Sequence, residues 1–285
     1  MSLRAQMPPV LVLGATGLIG QFLTARLTQA RVAYLEVSRR ASQRDQHWLQ
    51  ADLADPDLAS KLPALDTVYS LSPIWLLPAA LPALQAAGMK RLIAFSSTSR
   101  FTKLDSSEAS ERDVARALAA GEAQVEAFCQ AHGIDWTILR PTLIYAEGQD
   151  GNVSRLAAMI RRFSFLPISG RGEGLRQPVH ADDLAAGAIA AANSPAARGK
   201  AYNLPGGETL TYRQMVARIF ESLSKPVSIL ALPPWLWRAA FVLARPLLGR
   251  ATAAMGMRMA HDLAFDGTPA ARDFGWTARG FRPRF

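Results

Sequence analysis

Three glycines at a fixed spacing are the first residues of this chain with a chemical use: Leu-Val-Leu-Gly14-Ala-Thr16-Gly17-Leu18-Ile19-Gly20. They follow a short apolar run and open a stretch of helical periodicity. Such a turn lets the backbone of Thr16, Gly17, Leu18 and Ile19 approach a pyrophosphate while the helix N-terminus faces its charge. The flanking strand, helix and second strand supply the context that a lone glycine triplet lacks. A packing turn without a ligand is the alternative. A dinucleotide held there would bring its adenosine ribose to the end of the second apolar run, which reads Ser38-Arg39-Arg40. Two arginines beside a small hydroxyl suit a 2′-phosphate through charge-assisted hydrogen bonds, whereas an NAD site places an acid there. Glu36 lies two residues earlier, inside the strand. The expected cofactor is therefore NADP, with NAD left open because exposed loop arginines would read the same way.

Other chemistries find less support. The single cysteine, Cys129, excludes a disulfide framework, and the four histidines show no paired ligand spacing, so no metal is expected. Lysine and arginine number 32 against 23 acids, a net charge of +9. The charge is dispersed and lacks aromatic interleaving, which argues against nucleic acid and fits phosphate-bearing small molecules or solvated surface arginine. The first residues lack the apolar core of a secretory signal, and a cytoplasmic location is expected. The apolar stretch from Trp235 to Leu248 is broken by Arg238, Arg245 and Pro246 and is too short to span a bilayer. It reads as a helix capping a lobe, or as a peripheral membrane or protein contact.

The elements that must position the glycine turn alternate. Strands are expected at 9–14, 32–38, 48–53, 67–71, 91–96 and 135–139, and helices at 18–27, 77–87 and 112–132. Apolar strands separated by helices predict an α/β fold, a Rossmann-type doubly wound parallel sheet. Past Pro141 the texture becomes glycine- and arginine-rich, with helices at 182–193, 212–224 and 235–244. Residues 1–145 thus read as the dinucleotide-binding core, and 146–285 mainly as a smaller C-terminal substrate lobe with some segments returning to the core.

From the glycine turn through Ala51-Asp52-Leu53, Ser96-Ser97-Thr98, Leu139-Arg140-Pro141 and Val179-His180-Ala-Asp182-Asp183-Leu184, the chain resembles the extended short-chain dehydrogenase/reductases, and within them the NAD-dependent epimerase/dehydratase group. The resemblance implies that Asp52 and Leu53 lie against the adenine, and that Leu71, Ser72, Pro73, Ser96 and Pro141 line the cofactor. Core packing is the other reading of Leu53 and Leu71. The family's active site has a hydroxyl after the fifth strand, matched by Thr98, and a Tyr-x-x-x-Lys pair on a following helix. The lysine lowers the phenol pKa so that it can exchange a proton. Here Leu118 and Glu122 fall at those two positions, and no tyrosine occurs between Tyr69 and Tyr145. Glu122 could accept hydrogen bonds from ribose hydroxyls, or be an exposed helix glutamate of no consequence. The resemblance also implies that Asn152 and Arg176 hold the diphosphate of a nucleotide-linked substrate, the alternative being hydrogen bonds that anchor loops. His180 reads as a buried residue of a packed turn. A homodimer through a helix pair would follow the family.

Two functions fit this reading. One is an NADP-dependent oxidoreductase or epimerase-like enzyme, acting on a phosphorylated or nucleotide-sugar-like substrate with Thr98 positioning the reacting oxygen. The other is a non-catalytic dinucleotide sensor or assembly subunit, which the loss of the Tyr-x-x-x-Lys pair favours.

Overall fold

The computed structural model describes residues 9–39, 47–233, 235–237 and 258–285. The elements in chain order are β1 (Val10–Leu13), α1 (Gly20–Gln29), β2 (Tyr34–Ser38), β3 (Trp48–Gln50), α2 (Leu58–Lys61), β4 (Thr67–Ser70), a 3-10 turn (Ile74–Leu76), α3 (Leu81–Ala86), β5 (Arg91–Phe95), α4 (Ser99–Thr102), α5 (Ala109–Ala131) and β6 (Asp135–Pro141). After these come β7 (Leu143–Tyr145), α6 (Val153–Phe163), β8 (Leu166–Ser169), β9 (Leu175–Arg176), β10 (Pro178–His180), α7 (Ala181–Asn193), β11 (Lys200–Leu204), β12 (Leu210–Thr211), α8 (Tyr212–Ser222), β13 (Ile229–Leu232) and α9 (Thr268–Phe274).

Seven strands form one parallel sheet in the order β11-β6-β5-β4-β1-β2-β3. β1 is apolar along its whole length, and β4, β5 and β6 carry apolar residues at their centres. β5 is buried at every residue, as a sheet covered on both faces requires. One apolar cluster joins Leu11, Leu13, Leu81, Leu92, Leu118 and Val125 on the α3–α5 face. A second joins Val12, Leu23, Ile93, Leu184 and Trp276 on the α1–α7–α9 face. The third, with Val153, Ile160, Ile168, Val216 and Phe220, is the core of a lobe built from α6, α8 and short strands. β11 and α7 are late in the chain yet belong to the central sheet and its cover.

The helix expected at 77–87 is divided. Pro78 and Pro82 cannot donate to a continuous helix, so the chain makes the 3-10 turn and starts α3 only at Leu81, with Pro82 in its first turn where a missing N–H costs nothing. The helix expected at 235–244 lies outside the described residues beyond Trp237, as does Arg40. Among the described residues no helix is long and apolar enough to cross a membrane.

Candidate active site

The site gathers where β1, β4, β5 and β6 end on the same side of the sheet. Gly14 follows β1 with φ +80°, a conformation that costs a side chain strain, and a Cβ there would meet the Ser72 amide. Gly17 donates its amide to the Gly14 carbonyl at 2.9 Å, closing the turn. Gly20 packs on the Ala15 carbonyl, where a Cβ would collide with the backbone. These contacts hold α1 against β1 and leave Thr16 and Gly17 exposed at the mouth. The N-cap of α1 is Ile19, whose side chain makes no capping hydrogen bond, and no acid stands in the first turn. That pattern fits a phosphate-bearing dinucleotide, because the helix end carries partial positive charge with no side-chain acceptor of its own.

Around the turn lie the other residues the sequence singled out. Leu71 donates its amide to Leu13 across the β1–β4 boundary at 2.8 Å, with Ser72 half-buried beside Gly14 and Pro73 exposed. Ser38 ends β2 and Arg39 is exposed. Asp52 is exposed and closes its own turn, accepting from the Ala54 amide at 3.0 Å, while the half-buried Leu53 packs against the first cluster.

At the end of β5 the chain is tied to β6: Ser96 donates its amide to Leu139 at 2.8 Å and Thr98 to Pro141 at 3.2 Å. The buried Thr98 hydroxyl also donates to the Pro141 carbonyl, at 3.1 Å. Its oxygen lone pairs are therefore the part left for a reacting group.

Glu122 is the central finding. It sits on the buried face of α5 with Ala115, Leu118, Val125 and Cys129, and its side chain is 3% exposed, which excludes the exposed-glutamate reading. A carboxylate there needs partners, and it has three. Ser96 Oγ donates to Oε1 at 2.5 Å, Arg140 donates Nη2 to Oε2 at 2.6 Å and Nε to both oxygens at 3.1 Å, and Arg100 donates Nη1 to Oε2. Burial is the first cause lowering the pKa of both guanidiniums from the ordinary arginine value. Leu118, one turn earlier, is core packing; burying a leucine contributes roughly 1.5–3 kcal/mol. Gly121 permits this arrangement, since a Cβ there would press on the Trp75 backbone at 3.0 Å and force α5 off the 3-10 turn.

Sequence reasoning did not single out Arg100 or assign Arg140 a role. A signal existed: the apolar series 115, 118, 125, 129 puts position 122 on the buried face, and a buried glutamate calls for basic partners at the ends of neighbouring strands.

Asn152 and Arg176 lie on the lobe side. Asn152 is exposed at the start of α6, its amide donating to Asp150 Oδ1 at 2.8 Å. Arg176 is buried, donates Nη1 to the carbonyls of Leu175 at 2.6 Å and His261 at 2.9 Å, and lies over the Tyr212 ring. His180 accepts the Asp182 amide on Nδ1 at 3.0 Å, capping α7, so Nε2 carries the proton toward Glu147 at 3.2 Å. Tyr145 packs edge-on between His180 and Phe281, its phenol pushed up by burial.

A seven-stranded parallel sheet with a glycine turn after its first strand and a hydroxyl loop after its fifth defines an NAD(P)-binding domain of the short-chain dehydrogenase and epimerase class. The chain belongs to the NAD dependent epimerase/dehydratase family, whose model matches residues 10–73 and 78–204. The family's description is that of NAD-dependent epimerases and dehydratases. Among curated relatives, protein y4nG of Sinorhizobium fredii is 30% identical over 156 residues, 52% of this chain and 39% of that protein. The chain thus spans about two fifths of that relative's length. The NAD(P)H azoreductase of Xenophilus azovorans is 25% identical over 237 residues, 78% of this chain and 77% of the relative. Among solved structures, MoeE5 in complex with UDP-glucose and NAD superposes with a TM-score of 0.75 at 21% identity, covering 96% of this chain and 95% of the other, and shows the same fold.

Proposed function

We propose that the protein is an NADP-dependent oxidoreductase or epimerase-like enzyme acting on a nucleotide-linked or phosphorylated substrate. The observation that carries the proposal is the uncapped N-terminus of α1 behind the glycine turn, on the same sheet edge as the Ser96–Thr98 loop. The cofactor would lie along Gly14, Thr16, Gly17, Leu18, Ile19 and Gly20, with Ser38 and Arg39 at the adenosine ribose, Asp52 and Leu53 at the adenine, and Leu71, Ser72, Pro73, Ser96 and Pro141 toward its reacting end. When bound, it supplies hydride transfer. Thr98 would accept a hydrogen bond from the substrate hydroxyl. Glu122 cannot do the work of the family's lysine. It holds Arg100, Arg140 and Ser96 in place, and the proton changes partners through water or a substrate group. Asn152 would meet the substrate's phosphates at the lobe. Arg176, held by two backbone carbonyls, would stiffen the same wall. The UDP-glucose bound by MoeE5 supports the substrate class, and its NAD together with the azoreductase's NAD(P)H supports a nicotinamide dinucleotide, the choice of NADP resting on Ser38 and Arg39.

The test is fluorescence titration with NADPH and NADH, followed by hydride-exchange assays with nucleotide sugars and simple carbonyls. NADPH should bind more tightly than NADH, and Arg39→Ala should weaken NADPH about tenfold while sparing NADH, the loss of one charge-assisted phosphate contact. Equal effects on both nucleotides would refute the NADP assignment. Binding without turnover on any substrate, unchanged by Thr98→Ala, would favour a dinucleotide sensor.

A further inference from the structure

Two guanidiniums share the one carboxylate that touches them, a charge of +1 among the groups in direct contact. Glu126 acts on both arginines only through space and makes its own hydrogen bond to Gln130. The carboxylate is 3% exposed, whereas the Arg100 and Arg140 side chains are 25% and 17% exposed, so the negative partner lies underneath and the positive ones face outward. Donors remain unused. Arg100 spends Nη1, and Arg140 spends Nε and Nη2; Arg100 Nε and Nη2 and Arg140 Nη1 have no acceptor among the described residues.

Both guanidiniums also lie over one ring, that of the exposed Phe101, at 5.0 and 5.4 Å from its centroid. Phe101 faces Phe265 at 6.1 Å, and Gln177 fixes the Phe265 backbone from both sides, accepting its amide at 2.8 Å and donating to its carbonyl at 3.2 Å. The arginines are therefore held from below by Glu122 and flanked by an aromatic wall, at the ends of β5 and β6. Guanidiniums fixed in this way, with spare N–H groups and two of them on one touching carboxylate, match an oxyanion and lose little freedom on taking one.

We infer that Arg100 and Arg140, held by Glu122, form a binding site for a carboxylate or phosphate group of the substrate beside the Ser96–Thr98 loop. The inference rests on the proposed cofactor site for its meaning in catalysis, but not for the anion binding itself. It names a substrate class: molecules with an anionic group close to the reacting carbon, besides any diphosphate held at the lobe.

The test is isothermal titration of the full chain with malonate and, separately, inorganic phosphate, at constant ionic strength against a chloride control. Each titration runs with the protein saturated with NADPH, which occupies the glycine turn, and again without nucleotide. With NADPH bound one anion site is expected, weakened about tenfold or more by Arg100→Gln and largely restored by Arg100→Lys, the loss of a charge-assisted contact; without nucleotide the glycine turn can take phosphate as well, and the Arg100-dependent component should remain beside it. NADPH affinity should be the same in all three proteins. The stronger of the two anions tells carboxylate from phosphate. No saturable binding of either anion, or binding in which no component is weakened by Arg100→Gln, overturns the inference. Failure of NADPH to bind the wild type sinks the cofactor reading alone, and the nucleotide-free titration still decides the anion site. Arg100 stands on the short, partly exposed α4, and circular dichroism checks that the variants fold.

Discussion

Glu122→Gln would remove a charge and leave the shape almost unchanged. The carboxylate takes hydrogen bonds from Ser96, Arg100 and Arg140. A glutamine keeps one acceptor oxygen, but turns an NH2 group toward a guanidinium that is itself only a donor. Two cations are then left together without their counter-ion. Removing one member of a buried ion pair costs about 3–5 kcal/mol. Because water reaches part of both arginines, the lower end applies, about 3 kcal/mol. At about 2 °C per kcal/mol for a chain of this size, the melting temperature should fall by about 6 °C. Thermal unfolding followed by circular dichroism at fixed scan rate reads this directly. The same substitution in an Arg100→Gln background should cost less, by about 1–2 kcal/mol, because the charge that Glu122 compensates is smaller. Glu122→Lys, which installs the residue type that the family resemblance puts there, would add a third cation and lower the melting temperature further. A Glu122→Gln protein melting within about 1 °C of the wild type, or strictly additive double-variant effects, would refute the claim that the carboxylate is the counter-ion of this cluster.

Two further outcomes follow from groups away from the site. Cys129 is fully buried and its thiol is pushed up to about 12 by burial, so a thiol reagent at about pH 8 should label the native protein no faster than the chain opens; rapid stoichiometric labelling would contradict its placement. Asp273 on α9 is held well below the usual carboxylate range, first by Arg272 and then by Tyr202 and Lys200, which tie the helix to β11. The folded chain keeps this group ionised where the unfolded chain, with an ordinary value of about 4, takes up a proton. Its stabilisation is therefore whole above about pH 4 and is lost as the pH falls toward the folded value. The gap in melting temperature between wild type and Asp273→Asn should narrow on acidification below about pH 4, and a gap that widens would overturn the assignment.

The central fold was open to reading because its signals are local. β1 is an apolar run, β4, β5 and β6 have apolar centres, and α1 and α5 repeat their apolar residues at helical spacing, so each of these elements is specified by its own few residues. Boundaries were less legible where prolines intervene, as at Pro78 and Pro82, or where burial continues a strand past its apolar core, as β6 does to Pro141. The lobe was harder still. β8 and β13 pair residues 63 apart in the chain, such as Leu166 with Ile229, and β9 and β12 are two residues each, too short for any periodicity to announce them.

The sequence alone determined the glycine turn, because Gly14, Gly17 and Gly20 act through their own backbone and need only adjacent elements. It also determined what is missing, since the absence of any tyrosine between Tyr69 and Tyr145 is a fact of composition. What Glu122 does was decided only by the tertiary structure. Its partners come from the end of β5, from α4 and from the end of β6, 18 to 26 residues away along the chain, and they converge because parallel pairing of β5 with β6 puts both strand ends over α5. A side chain's charge can be read from one position. Whether that charge meets solvent, a ligand or two arginines depends on which strand ends the sheet brings beside it.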